Sequence, residues 1–516
     1  MTRQLIPHPE VGRHRRAPEE RVSYREVFAV REFRWLWIAQ VLSFVGDQFA
    51  QVAIAILVFR RTDSAFLTAL TYALTYLPPI VGGPLLSGLA DLLPRRRVMI
   101  ACDLARVVLV GLMAVRGVPF WALCTLLFGT VLLSAPFSSA RSALVADILT
   151  PKQLPAGSAI GNITHQASQI VGFVTGAAVV ATIGSHRTLG IDAGTFGISA
   201  LILLIAVQPR PAAARTAGKR PTMRSVSADG IRLVFGDPVL RTLLLFGWLA
   251  GFYILPEGLA APYAHSLGGT AVTVGLLMAA VPLGTVIGGL LLARFVAPSA
   301  QVRNIGWLAM ASCAPLVGCA WNPPLPVVLT LWLIAGAGGA FQLAAAPAFV
   351  AALDPATRGR AFGVAQSGLY AVQGIGILAG GAAAQLVGSP MAVSLAGLLG
   401  LCAASVLAMS WTQLRLRAVG SQRALHPAAL LADEGLDDRA VLAFLGKDQP
   451  RDQVEQDAEP VEDSEYPESQ PDQVDVDPKV STEPGTHARY DPALPDSKQP
   501  LAPAAAVVFT HDCDHP

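Results

Sequence analysis

Over 516 positions, 53% of the residues are hydrophobic and only 14% are Asp, Glu, Lys or Arg, well below the roughly 25% charged residues of a soluble domain. Apolar runs of about 20 residues, long enough to cross a bilayer as helices, recur from Phe33 to Trp411; they cannot be stacked into one water-soluble core, so the chain reads as integral to a membrane. The net charge of +2 conceals two ends of opposite sign and gives no reason to expect a nucleic-acid partner.

In chain order, residues 1–32 form a basic segment with Arg3, Arg13, Arg15, Arg16, Arg21, Arg25 and Arg31. No small-residue cleavage site or early apolar run marks a signal peptide. Residues 33–207 contain apolar segments near 33–58, 68–89, 98–115, 119–140, 155–182 and 188–207, read as a first six-helix bundle. A linker at 208–239 carries Arg210, Arg215, Lys219, Arg220, Arg224 and Arg232. Residues 240–411 give six more segments, near 240–262, 271–293, 303–321, 325–350, 360–387 and 389–411. Residues 412–516 read as an acidic, mostly disordered tail. Arg95–Arg97, Arg141 with Lys152, Arg294 with Arg303, and Arg358 with Arg360 fall on the linker's side. The positive-inside rule then places the linker and both termini in the cytoplasm. The expected architecture is all-α and integral to the membrane, with twelve transmembrane helices in two six-helix parallel repeats.

The repeat is visible as a constant offset of 204 residues. Pro78 recurs as Pro282, Pro119 as Pro323, Phe137 as Phe341 and Pro151 as Pro355; Gly172, Gly176 and Gly184 recur as Gly376, Gly380 and Gly388. Most of these residues shape the backbone, so bends and close helix approaches are what repeats. Two equivalent apolar halves point to a protein that moves one half against the other.

Ionisable groups inside a bilayer cost roughly 2.5–3.5 kcal/mol each on insertion scales and need a reason. Gln40, Ser43, Asp47 and Gln51 follow one another at spacings of three, four and four, on one face of the first helix. Asp47 is read as a protonation or cation-substrate site, with a hydrogen-bonded structural role as the alternative. Glu257, set in Leu255-Pro256-Glu257-Gly258 with Tyr253 one turn below, is read either as a second such site in a broken helix or as a side chain reaching the outer interface. Asn162, Gln166 and Gln169, with His165 beside them, map at offset 204 onto Gln366, Tyr370 and Gln373. The two stripes are expected to face each other across a central cavity. Asp103 and Arg106, three apart near the cytoplasmic end of the third helix, are read as gate support or as side chains snorkelling to the interface. None of these ionisable positions is repeated: Asp47 maps to Gly251, Glu257 to Ala53, Asp103 to Trp307 and Arg106 to Met310.

Five of the six cysteines, Cys102, Cys124, Cys313, Cys319 and Cys402, lie in apolar segments, and Cys513 lies in the tail; no disulfide or metal site is expected. No Gly-x-x-x-x-Gly-Lys loop, metal-ligand cluster or nucleophile–base pair is present. An enzyme, a bound cofactor and direct ATP drive are therefore not expected.

Between the second and third segments, Ser87-Gly88-Leu-Ala-Asp91-Leu-Leu-Pro-Arg95-Arg96-Arg97 resembles the signature loop of the major facilitator superfamily. Ser87, Leu92 and Pro94 stand where the superfamily carries Gly, Arg and Gly, and the variant is similar to the branch of siderophore-exporter-like, macrolide-efflux-like and multidrug-efflux-like proteins. The resemblance implies a gating latch of Ser87, Gly88, Asp91, Arg95, Arg96 and Arg97, supported by Asp103 and Arg106. Gly172-Phe-Val-Thr-Gly176-Ala resembles the antiporter motif of proton-coupled exporters in the fifth helix, where small residues four apart let helices approach closely; Gly172, Gly176, Gly376 and Gly380 are the expected packing positions. No Arg lies in Phe120–Ser139, where many such exporters carry one in the fourth helix. The implied protein is a monomeric plasma-membrane secondary transporter with a small-molecule substrate and protons as partners, exporting a drug, siderophore or metabolite. The alternatives are an uncoupled or uptake facilitator, and a non-transporting sensor or scaffold using the acidic tail.

Overall fold

Backbone groups inside a bilayer must find their partners within the protein, which leaves helices or closed barrels as spanning structures. In the computed structural model, which describes residues 23–86, 93–210, 223–355 and 357–425, every regular element is a helix. Residues 1–22, the latch positions Ser87, Gly88 and Asp91, and the tail beyond residue 425 lie outside the described residues.

The helices follow the apolar segments. α1 is Arg31–Thr62; α2 is Ala65–Ala73 and, after a turn, Leu77–Leu86; α3 is Arg95–Met113; α4 is Phe120–Leu132 and Ser134–Ile148. α5 is Leu154–Ile183 and α6 is Ser185–Ala206. α7 is Pro238–Trp248 continued by Ala250–Tyr253, Leu255–Gly258 and Ala260–Ser266. α8 is Ala271–Phe295, α9 Ile305–Val317, α10 Leu325–Gly339 and Gln342–Ala351, α11 Arg358–Val387 and α12 Ser389–Leu425. Among the described residues nine helices are long and apolar enough to cross a membrane, and the apolar helices of α2 and α9 are shorter. α3 is 19 residues long and carries Asp103 and Arg106 near its middle.

The repeat is a repeat of backbone geometry. α5 and α11 are both 30 residues long, with bounds 204 residues apart. Each stops at a glycine with positive φ, Gly184 at 83° and Gly388 at 85°, a conformation other residues rarely adopt. At α4 and α10 the capping prolines are Pro119 and Pro324, so the equivalence there shifts one residue from Pro323. The packing glycines are also equivalent. A Cβ at Gly172 would meet Gln48 Cβ at 2.6 Å, and one at Gly176 the Phe49 ring at 2.9 Å, both on α1; Cβ atoms at Gly376 and Gly380 would fall on Gly251 and Leu255 of α7.

The halves meet along α2–α11 and α5–α8, at the ends away from the linker (here the far end). A Cβ on Gly381 of α11 would fall on Ala69 of α2, and one on Gly275 of α8 would fall on Ala177 of α5 and lie 2.5 Å from Phe173 O. Ser64 Oγ donates to Gln385 Oε1 at 3.0 Å across the same junction. The buried core divides accordingly. Far-end side chains of the first half, Val52–Val58, Ala69, Phe173 and Ala177, form one cluster with Leu277–Val281 and Ile377 of the second. Its linker-end side chains, among them Leu36, Met99, Phe137, Leu144 and Leu203, form a separate cluster. The first half is thus knitted to the second at the far end and packs on itself at the linker end.

Within the second half α8 and α10 approach so closely that a Cβ on Gly336 would fall on the Val281 carbonyl oxygen. Gly336→Leu is expected to destabilise by about 1–3 kcal/mol or more, measured as a lowered thermal midpoint of the detergent-purified protein. Gly194→Ala, with nothing within 4 Å of its new Cβ, should leave the midpoint unchanged or raise it.

Candidate functional site

The first half contains a buried cluster of charge. Asp103 is fully buried and Arg106 is 4% exposed, with Arg106 Nη1 3.8 Å from Asp103 Oδ1. Ser199 Oγ of α6 donates to Asp103 Oδ2 at 2.7 Å. Arg106 Nη2 donates to Ser134 Oγ of α4 at 2.9 Å, and the guanidinium lies over the rings of Phe137 (5.0 Å) and Phe196 (5.3 Å). The pair therefore lies inside the bundle, clamped by α4 and α6, and does not snorkel to the interface. Asp192 of α6, which the sequence reading passed over, is also buried and accepts from Thr195 Oγ1 at 3.3 Å. Asp47 of α1 lies within electrostatic range of both Arg106 and Asp192. A Cβ at neighbouring Gly46 would fall on Asp192 and Thr195, so the absent side chain is what lets α6 bring its carboxylate to α1. Three carboxylates thus gather in one region of the first half, where Arg106 pairs with Asp103.

The rest of the α1 stripe turns toward α4. Gln40 and Ser43 are buried and Gln51 is half-buried. Arg141 Nη1 donates to Gln40 Oε1 at 2.5 Å. The fourth apolar segment ends near residue 140, with Arg141 just beyond it on the linker's side, but α4 runs on to Ile148, because Ser and Ala lower hydropathy without breaking a helix. An arginine therefore sits within the fourth helix, two residues beyond the stretch Phe120–Ser139. His165 packs edge-on against Phe44 with ring centroids 5.0 Å apart.

On α5, Asn162 and His165 are exposed and Gln166 and Gln169 half-buried; on α11, Gln366 and Tyr370 are half-buried and Gln373 is buried. The two stripes occupy equivalent places, α5 packing on α8 and α11 on α2. Glu257 does not reach an outer interface. It is 4% exposed, and Oε2 accepts from Tyr72 O–H of α2 at 2.6 Å, a bond that joins the halves. Tyr253 O–H accepts from Gln342 Nε2 at 2.6 Å, tying α7 to α10. Tyr72 and Tyr76, four residues apart on α2, carried a signal the sequence reading did not use.

Of the latch, the described arginines bind within the first half. Arg95 pairs with Asp147 and donates to Ala143 O at 3.1 Å on α4; Arg96 Nε donates to Leu203 O at 3.0 Å on α6; Arg97 is exposed. At the same end Arg210 clasps Glu32 through two bonds, 2.6 and 2.8 Å. Among the described residues no group of three His, Cys, Asp or Glu side chains is placed to hold a metal.

Two apolar helical halves, equivalent in backbone but not in charge, with carboxylates buried inside one half and between the two, define a multi-pass membrane transporter. The sequence profile of the Major Facilitator Superfamily matches residues 36–294, and the chain belongs to that superfamily. It is similar to the multidrug efflux pump Tap of Mycobacterium tuberculosis (strain ATCC 25618 / H37Rv), with 28% identity over 368 residues, 66% of this chain and 84% of that protein. It is also similar to macrolide efflux protein A of Streptococcus pyogenes, 25% identical over 270 residues, 51% of this chain and 66% of that one. Among solved structures, the bacterial homologue of the human lysosomal transporter Spinster matches with TM-score 0.58 at 14% identity, over 74% of this chain and 98% of that one. The POT family transporter PepTSo matches with TM-score 0.59 at 11% identity, over 75% and 99%. These two share the fold.

Proposed function

We propose that the chain exports a small organic compound across the plasma membrane in exchange for protons. The observation that carries this reading is the gathering of Asp47, Asp103 and Asp192 inside the first half around Arg106, which pairs with Asp103 and lies within electrostatic range of the other two. Three negative charges against one positive charge inside a bundle cannot all stay ionised at low cost, so the cluster is built to hold a proton and to release it when the surroundings change. Export is favoured by the relatives named for efflux. The basic loops put the linker end, with both termini, in the cytoplasm. The halves are then closed outside, and the polar residues of α1, α5 and α11 line a path entered from within. Arg141, held on Gln40 beside His165, contributes a fixed positive charge to that path. Asp91 with Arg95, Arg96 and Arg97 would latch the cytoplasmic side when the halves rock the other way.

Asp47→Asn tests the reading in proteoliposomes. The variant is expected to lose flux driven by an imposed proton gradient while still exchanging labelled for unlabelled substrate across the membrane. Unchanged proton-driven flux would remove Asp47 from the coupling role, and flux of the parent protein that ignores the gradient would make the chain an uncoupled facilitator.

A further inference from the structure

Four of the chain's eight tyrosines form a chain of neighbours that reaches Glu257 through Tyr72, from three helices and both halves. Tyr72 O–H donates to its Oε2 at 2.6 Å. The Tyr72 and Tyr76 ring centroids are 5.9 Å apart, and Tyr76 lies 6.5 Å from Tyr370 of α11. Tyr253 sits one helical turn before Glu257, and Glu257 lies within electrostatic range of both Tyr253 and Tyr76.

The charge balance of this group differs from that of the first-half cluster. There Arg106 pairs with Asp103 and lies within electrostatic range of Asp47 and Asp192. Among the described residues no Arg, Lys or His forms an ion pair with Glu257, although it is 4% exposed. A buried carboxylate with a tyrosine hydrogen bond and no internal cation is an incomplete pair. Aromatic rings beside such a carboxylate can recognise an organic cation, through the negative potential of the ring face.

The backbone is shaped for the same purpose. α2 is interrupted at Leu74–Tyr76, and α7 is interrupted at the single residues Leu249, Ile254 and Leu259. Pro256, which lacks an N–H and cannot extend a regular helix, is next to Glu257. Non-helical backbone at membrane depth is tolerated where it is enclosed by protein or lines a cavity, and broken helices facing each other between repeats are where transporters place their substrate.

We infer that Glu257, with Tyr72, Tyr76, Tyr253 and Tyr370, is the recognition site for an organic cation, with Glu257 as its counter-ion and the tyrosine rings as its walls. This rests on the exporter reading and gives it a substrate class. The ligand bridges α2 of one half to α7 and α11 of the other, so its arrival and departure are felt by the contact that joins them.

The test is binding to the full chain in detergent, by equilibrium dialysis with radiolabelled tetraphenylphosphonium, against tetraphenylborate, an anion of the same shape. The cation is expected to bind and the borate to leave it undisplaced. Glu257→Gln, close in shape to the parent, should weaken binding by more than about tenfold. Tyr76→Leu and Tyr370→Leu should each weaken it by about 2- to 30-fold, the range of a cation on an aromatic face, whereas Tyr76→Phe, which keeps the ring, should bind as the parent does. Thermal midpoints of the variants show that they are folded. Parent-like binding by Glu257→Gln, or equal displacement by the borate, overturns the inference. Proton-driven flux of a neutral or anionic compound without tetraphenylphosphonium binding would sink the cation site and leave the exporter standing. Specific binding with no flux of any compound would do the reverse.

Discussion

Arg106→Leu is expected to be the most damaging single substitution in the membrane-spanning region. The residue is 4% exposed, pairs with Asp103 and lies within electrostatic range of Asp47 and Asp192. Removing one partner of a buried ion pair costs about 3–5 kcal/mol, because the uncompensated charge stays in low dielectric. Here Asp103 loses its ion-pair partner and Asp47 and Asp192 lose a nearby positive charge, along with the bond to Ser134 and the ring faces of Phe137 and Phe196. Folded yield should drop sharply, and any protein recovered from detergent should unfold at a lower temperature. Arg106→Lys should restore the charge only in part, since an ammonium cannot donate to Ser134 while lying flat between two rings. Neutralising the opposite side distinguishes charge balance from lost packing. Arg106→Leu combined with Asp103→Asn should be more stable than Arg106→Leu alone, a coupling that a double-mutant cycle measures directly. A parent-like midpoint for Arg106→Leu would show that the guanidinium is not the counter-ion of the cluster.

What the sequence made legible was the machinery of backbone shape. Gly184 and Gly388, and the glycine pairs of α5 and α11, are local requirements: a positive φ or a missing Cβ leaves its mark on the residue itself. Asp47 and Glu257 were legible as costly groups, since polarity in an apolar run is visible without a neighbour. Their partners were not. Tyr72 lies 185 positions from Glu257, and nothing in the periodicity of either helix says which faces the third dimension will press together. Asp192, an acid within the apolar segment 188–207, was legible by the same criterion as Asp47 and Glu257; only its closeness to α1 was hidden. Arg141 stands toward the linker's end but inside a helix, for a different reason. Hydropathy reports where hydrocarbon ends, whereas helix propensity reports where the helix ends; over Ser138–Ile148 the two disagree. The same difference extends α12 to Leu425.

Cross-linking Ser64→Cys to Gln385→Cys, in a background with the six native cysteines replaced, is expected to stop transport. Ser64 Oγ donates to Gln385 Oε1 at 3.0 Å and the Phe66 N–H donates to the same oxygen at 3.4 Å. These residues join α2 to α11 where Ala69 and Gly381 pack with no room for another atom. The far-end core is continuous across the halves at this point, while the linker-end core of the first half is separate. If transport proceeds by rocking the halves, the far-end contact must open once in every cycle, and a covalent tether across it arrests the protein in the form described here. A short bis-methanethiosulfonate linker should therefore reduce flux to that of protein-free vesicles, and dithiothreitol should restore it. The two single-cysteine variants, treated alike, should keep most of their flux, which separates tethering from mere modification. Labelling reports the conformation independently: a cysteine introduced at the exposed His165 should react with an aqueous maleimide from the linker end whether or not the tether is in place. Undiminished flux in fully tethered protein would mean that the halves need not part at this end, and rocking about the repeat axis would then be the wrong description of the cycle.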